Sequence, residues 1–210
     1  MRIVYMTHFY PPSPCGGAGY YTAAIAEAFQ AGGATVNVLC ADRWGEGQRH
    51  INGYSDDVRH GVPVRRLHIN WRLAPAPFDY TYDNPALDPL IRDFVADLHP
   101  DVVHITSCYT LSARVISTVK QLGIPVLVHL VDYWFICPRH TLLRKSGEIC
   151  HGGKNAWYCQ DCMLYATSID RVTRKLLPGN TRSVFLMKLG KAPIATRQPG
   201  AIGMLGDMAL

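Results

Sequence analysis

Between Arg2 and Cys40 the chain passes through a strand pattern, a glycine-rich loop, a helix pattern and a second strand pattern. Ile3, Val4, Tyr5 and Met6 are β-formers or apolar, and their run stops at Pro11-Pro12-Ser13-Pro14-Cys15-Gly16-Gly17, as a buried strand followed by a glycine loop would. Tyr21, Ile25, Ala28 and Phe29 then recur at helical spacing and are expected to form the buried stripe of a helix over 19–31, stopped by Gly32-Gly33. Thr35 to Cys40 reads as the next strand. Two strands joined through a helix pair in parallel, and the crossover places helices on the sheet faces, so this opening excludes most all-β and all-α architectures.

The alternation continues downstream. Strands are expected over 62–69, 102–106 and 125–131. One helix is expected from Asn84-Pro85 through Leu98, on the stripe Leu87, Leu90, Ile91, Phe94, Val95, Leu98, and another over 111–122. Asp42 to Gly61, with four glycines and no period, reads as a long surface loop, and Trp71 to Tyr82 as an irregular aromatic segment. The fold class is therefore α/β, a Rossmann-like three-layer domain with a mostly parallel sheet and a cysteine-rich inserted loop. The domain is assigned to 1–189 with the insertion at 132–165. Beyond it, 167–177 resembles a basic helix, 183–189 a last strand or helix, and 190–210 an irregular tail.

With 48% hydrophobic and 18% charged residues in 210, the chain has apolar surface to bury and too little charge to stay disordered. Its longest apolar run, Leu122 to Val131, is half of the roughly 20 residues that a membrane-spanning helix needs. The N-terminus carries no secretory pattern, so a cytoplasmic protein is expected. A net charge of +5 suits phosphate-bearing ligands, an anionic membrane surface or simply a basic exterior. The basic residues Arg171, Arg174, Lys175, Arg182, Lys188 and Lys191 fit either a solvated face or contact with anionic lipid or sugar phosphate. They lack the interleaved aromatics of nucleic-acid binders, and no nucleic-acid partner is expected.

Three groups of residues point to chemistry. Gly16-Gly17-Ala18-Gly19 precedes a helix, where glycines let the backbone approach a phosphate and the helix N-terminus offers unpaired N–H groups. The spacing is neither the dinucleotide fingerprint nor a P-loop, and a tight turn needing positive φ is the competing explanation. Cys137, Cys150, Cys159 and Cys162 could surround one tetrahedral ion, zinc first, that would cross-link a loop lacking its own core. Buried thiols, an iron–sulfur cluster or two disulfides would also account for them. His104 and Asp132, near the C-terminal ends of parallel strands, stand where an open α/β sheet places its ligand cleft.

Taken together, Met1-Arg-Ile-Val-Tyr-Met-Thr-His-Phe-Tyr-Pro-Pro, Gly16-Gly17, Pro100-Asp-Val-Val-His104, Asp132-Tyr-Trp-Phe-Ile-Cys-Pro-Arg139 and the trailing cysteines resemble the N-terminal half of family 4 glycosyltransferases of GT-B fold, in a subgroup marked by Cys-Pro-Arg and the cysteine cluster. The resemblance covers about residues 1–165. It implies two Rossmann-like lobes facing across a cleft, the first binding the acceptor and the second the nucleotide-sugar donor, with no metal needed for transfer. Gly16 and Gly17 would touch donor phosphate. His8, His104, Asp132 and Arg139 would line the acceptor side, with Asp132 and His104 as the catalytic candidates. The implied partners are a nucleotide-sugar, a carbohydrate or lipid-linked acceptor of polysaccharide biosynthesis, the C-terminal donor domain, and the inner membrane face as a peripheral contact.

Two features depart from the family pattern. Val131-Asp132 stands where the family often has His-Asp, and His129 lies one alternation upstream. The donor lobe, with its paired glutamates, finds no room after residue 189, so the isolated chain is expected to be an inactive half enzyme. The alternative from another class is a non-enzymatic zinc-binding or phosphate-binding Rossmann-like module.

Overall fold

The computed structural model describes residues 1–42, 45–137, 139–144, 147–152 and 159. It divides into two compact units, Met1–Val131 and the residues from Asp132 onward. The expected elements at 167–177 and 183–189, the tail at 190–210, Cys162 and the basic stretch all lie outside the described residues.

In the first unit β1 (Arg2–Thr7), α1 (Gly17–Ala31) and β2 (Thr35–Asp42) form the expected βαβ unit. They are followed by β3 (Ile51–Arg59), β4 (Val62–Ile69), a 3-10 turn at Trp71–Leu73, α2 (Pro77–Tyr82), a second 3-10 turn at Pro85–Leu87, α3 (Asp88–Leu98), β5 (Val102–Ile105), α4 (Arg114–Gln121) and β6 (Val126–Val128). The sheet order is β3-β4-β2-β1-β5-β6. Every pairing is parallel except β3 with β4. The protein is thus a mostly parallel, Rossmann-like α/β fold. Strand order reverses at β1, which pairs with β2 on one side and with β5 on the other, and such a switch opens a crevice at the carboxyl ends of the strands.

Ile3, Tyr5, Val36, Val38, Val62 and Val64 point to the α1 face and pack with Ala23 and Ala26 of that helix. Their alternates, including Val4, Met6, Leu39 and Val103, are buried on the other face, where Phe94 of α3 reaches Arg65 of β4. Three expectations change on the way. The long loop at 42–61 contains β3, which pairs with β4 through His60-Gly61, both at positive φ as a two-residue hairpin requires. As an edge strand with a register shift between Ile51 and Tyr54, β3 buries neither face and so shows no hydrophobic period. The segment at 71–82 is partly helical. The helix expected over 111–122 begins only at Arg114, because Ser112 sits at φ 62° and Leu111 turns inward, fully buried.

The buried side of α1 is also a correction. Gly19, Thr22, Ala23 and Ala26 face the sheet, whereas Tyr21 and Phe29 of the expected stripe are 39% and 45% exposed. Small residues let the helix approach closely: a Cβ on Gly19 would lie 2.6 Å from the Phe9 carbonyl and 2.7 Å from Cys15 Cβ. Among the described residues no helix is long and apolar enough to cross a membrane.

Candidate functional site

The loop from β1 to α1 leaves the sheet at the switch point and delivers Gly16 as the helix cap. Gly16 has φ −79° and ψ −170°, and Gly17 is absent from the residues at positive φ. A turn that only glycine tolerates is therefore not the reason for this pair. Both are exposed, and a Cβ on either would meet nothing within 4 Å, so the main chain here is open. The Gly16 carbonyl accepts from the Gly19 and Tyr20 N–H groups at 3.0 and 3.2 Å. No side chain caps the helix and no acidic residue stands in its first turn, so its positive end meets no carboxylate from the helix itself.

His8 follows β1 at the switch. Its carbonyl accepts from Ala41 N–H at 2.9 Å and from Thr110 Oγ1 at 3.4 Å, and its ring meets Phe9 and Tyr109 edge-on, with centroids 5.2 and 5.9 Å away. Beside it, Thr106 donates its N–H to Met6 O at 2.8 Å, and its Oγ1 lies 2.6 Å from Thr22 Oγ1 of α1. This buried hydroxyl pair ties the first turns of α1 to the end of β5.

His104 is opposite Tyr5 in register and shares its face. Its ring sits 5.2 Å from that of Tyr5 and stacks on His129 at 5.9 Å, and His129 in turn meets Tyr21 of α1 at 4.9 Å. Burial, with the neighbouring His129 adding to it, holds the His104 pKa below the ordinary histidine value, and Nε2 is buried with no hydrogen-bond partner among the described residues. Near neutral pH this imidazole is uncharged.

Three features of this edge were not anticipated. Arg66, 4% exposed, reaches from β4 to the carbonyls of Tyr10 and Pro11 at 2.8 and 2.7 Å. Its signal was present in the alternation Val62, Val64, Arg66, which places an arginine on the buried face. His50 is buried between Asn70 O, 3.2 Å from Nδ1, and Asn84 Nδ2, 3.1 Å from Nε2. Since a carbonyl only accepts, Nδ1 carries the proton. Nε2 then accepts from Asn84, whose Oδ1 is occupied by Ala86 N–H. Burial lowers the His50 pKa, in keeping with this neutral tautomer. No periodicity or spacing marks His50. Third, burial raises the thiol pKa of Cys15, and that of Cys40 to about 12, so neither supplies a thiolate near the bend.

The second unit holds the other expected site residues. Asp132 is exposed and its Oδ1 accepts from Trp134 N–H at 2.8 Å. Arg139 Nη1 donates to Leu143 O at 3.4 Å. Leu143 and Ile149 form an antiparallel bridge around a turn at Gly147. Cys137 and Cys150 are in no disulfide. Among the described residues no three His, Cys, Asp or Glu side chains gather as a zinc shell requires, so Cys137, Cys150 and Cys159 do not form one by themselves.

A cavity of about 300 Å³ lies at the opposite end of the first unit, lined by residues including Asn37, Pro63, Arg65, Phe94, Asp97 and Leu98. Asn37 and Pro63 belong to the amino-terminal halves of β2 and β4, so the cavity is remote from the glycine bend.

A family described as the glycosyl transferase 4-like domain matches residues 16–158. No curated protein matches significantly. Solved structures with a similar course include sucrose-phosphate synthase from Thermosynechococcus elongatus, at 15% identity and TM-score 0.44, covering 60% of this chain and 32% of that one. Another, described as trehalose-6-phosphate from E. coli bound with UDP-2-fluoro glucose, is similar at 15% identity and TM-score 0.38, covering 61% and 32%. A third is the catalytic domain of starch synthase IV from Arabidopsis thaliana bound to ADP and acarbose, at 12% identity and TM-score 0.34, covering 51% and 29%. The chain spans about a third of the length of these structures.

Proposed function

The chain belongs to the glycosyl transferase 4-like domain family, and on that premise we propose that it forms the acceptor-side lobe of a GT-B glycosyltransferase using a nucleotide-sugar donor. The observation that carries this reading is the glycine pair. Gly16 and Gly17 have neither a backbone angle that demands glycine nor a described neighbour that forbids a side chain, and they open a helix whose first turn carries no acidic residue. What remains to explain them is close approach of a ligand to the main chain, and the chemistry of the place suits an anion.

In transfer, the bond from the anomeric carbon to the diphosphate oxygen breaks while an acceptor hydroxyl oxygen bonds to that carbon and gives up its proton. The negative charge that gathers on the leaving diphosphate is met at the Gly16–Gly17 bend by N–H groups already oriented, which need no reorganisation during the reaction. The acceptor lies along the carboxyl edge by His8 and His104, with a carbohydrate or lipid-linked hydroxyl as the class of nucleophile. His104, uncharged near neutral pH, is the acceptor-side group suited to receive a proton. The thiols at the bend are not nucleophiles, which fits transfer without a cysteine-bound sugar.

A lobe that offers one wall of a cleft cannot exclude water from the reacting carbon, so the chain alone should show no sugar transfer with a panel of nucleotide-sugars and a lipid-phosphate acceptor. Fusing a donor lobe should restore it. Turnover by the chain alone would overturn the half-enzyme reading. Failure of Gly16 and Gly17 amides to respond to pyrophosphate would favour a binding module of another kind.

A further inference from the structure

The bend that carries Gly16 and Gly17 is nine residues from the end of β1, and most of its length has no secondary structure to hold it. A buried cation supplies the missing scaffold. Arg66 has five N–H donors, and all five are accounted for. Nε donates to Asp57 Oδ2 at 2.6 Å. Nη1 donates to Tyr10 O at 2.8 Å and to Cys40 Sγ at 3.9 Å. Nη2 donates to Pro11 O at 2.7 Å and to Asp57 Oδ1 at 3.4 Å. Two of these bonds cross from β4 to the loop, more than fifty positions away in sequence. Asp42, at the end of β2, lies 3.9 Å from Nη1 and accepts from Ser13 Oγ at 3.1 Å, which extends the anchorage two residues nearer the glycines.

The planar, fixed fork of a guanidinium is what this arrangement uses. Two adjacent carbonyls and a carboxylate are held in one plane-directed pattern, and the carbonyls of a buried loop would otherwise lose their hydrogen bonds. A lysine at 66 would keep the charge but has three donors on one nitrogen and cannot span both carbonyls and Asp57. We propose that Arg66 is the positioning residue of the glycine bend, holding Tyr10 and Pro11 so that Gly16 and Gly17 stay in an anion-accepting shape. The inference rests on the reading of that bend as a diphosphate site, although Arg66's effect on the loop is measurable without any ligand.

The test uses the full chain in three forms, native, Arg66→Lys and Asp57→Asn, with Val119→Ala, a buried change on the far helical layer, as the control for general destabilisation. Amide exchange is read at Tyr10, Ser13 and Cys15 to Gly19, the loop residues that carry an N–H, and pyrophosphate is titrated while the Gly16 and Gly17 amide signals are followed. Arg66→Lys should accelerate exchange in the loop selectively and weaken pyrophosphate binding by about tenfold or more, as loss of charge-assisted hydrogen bonds predicts. Asp57→Asn, which leaves the arginine in place, should give a smaller effect of the same kind, and it carries the test should Arg66→Lys not fold. Val119→Ala should lower stability and leave loop exchange and pyrophosphate affinity within twofold of native. Unchanged loop exchange in a folded Arg66→Lys or Asp57→Asn chain would overturn the proposal. Selective loosening in a chain whose native form ignores pyrophosphate would uphold Arg66 as the anchor and sink the diphosphate reading alone.

Discussion

Replacing Gly19 by alanine should destabilise the protein, while the same replacement at Gly17, two residues away in the same helix, should not. Alanine gains roughly 0.5–1 kcal/mol over glycine in a helix interior, an upper limit for Gly17 and Gly19, the first and third residues of α1. At Gly17 nothing opposes the gain, because the added methyl enters open space. A stabilisation of about 0.4–1 kcal/mol is expected there. At Gly19 the methyl would stand 2.6 Å from the Phe9 carbonyl and 2.7 and 2.9 Å from Cys15 Cβ and Sγ. A backbone oxygen cannot swing aside as a side-chain tip can, so either α1 lifts from the sheet or the loop from β1 is pushed outward. Overpacking of that kind costs about 1–3 kcal/mol, and after the helix gain a net loss of about 0–2.5 kcal/mol remains. Urea unfolding followed by far-ultraviolet dichroism would measure both variants, with the midpoint moving down for Gly19→Ala and up or not at all for Gly17→Ala. A Gly19→Ala chain stabilised as much as Gly17→Ala would refute the close-approach argument. In a pyrophosphate titration the order should reverse in part, with Gly17→Ala weakening binding despite its stability, since its methyl occupies the space that an anion would use.

Acid should weaken the fold through its buried imidazoles. His50 has a folded pKa lowered by burial, so the unfolded chain binds more protons once pH falls below about 6.5, and stability declines from there down to the folded pKa. His104 acts in the same direction. Unfolding midpoints at pH 7.5 and 5.5 should differ more for the native chain than for His50→Gln, and equal differences would refute the assignment of His50 as a neutral clamp. Thr22→Val and Thr106→Val should each cost about 0.5–1.5 kcal/mol, because each removes the 2.6 Å contact between the two buried hydroxyls while the one that remains keeps a carbonyl acceptor, Ala18 O for Thr22 and Met6 O for Thr106, and the double variant should cost less than their sum. Strict additivity in denaturant unfolding would show that the hydroxyls are not coupled. Leu111→Ala, at a fully buried position just before α4, should cost about 2–5 kcal/mol by calorimetry or urea melts, whereas a surface loop residue there would cost almost nothing.

The places where sequence and structure diverge share a physical cause. Tyr21, Ile25, Ala28 and Phe29 have helical spacing, and a helix does form, yet its buried side is the row of small residues beginning at Gly19. Periodicity measures where apolar residues recur; how near a helix can come to a sheet depends on the residue at the point of contact, and the Phe9 carbonyl sets that distance. The strand β3 escaped notice because an edge strand with a shifted register needs no apolar alternation, and its hairpin uses His60-Gly61 where Asn-Gly would have announced a turn. His50 was illegible for a different reason: its partners Asn70 and Asn84 are brought to it only by the folded chain. Arg66 lay in between, visible as an arginine on the inward phase of a strand but without any indication of what it held.

Local chemistry was written in the chain itself. The strand runs, the glycine loop before a helix and the βαβ spacing were enough to specify a mostly parallel α/β sheet with a glycine bend after its first strand, because each depends on neighbours a few residues apart. The switch between β2 and β5 on the two sides of β1, the pairing of His104 with Tyr5 and His129, and the reach of Arg66 across to Tyr10 and Pro11 belong to tertiary structure. These are contacts between residues tens of positions apart, and their geometry exists only once the sheet has fixed the distance between the strands that carry them.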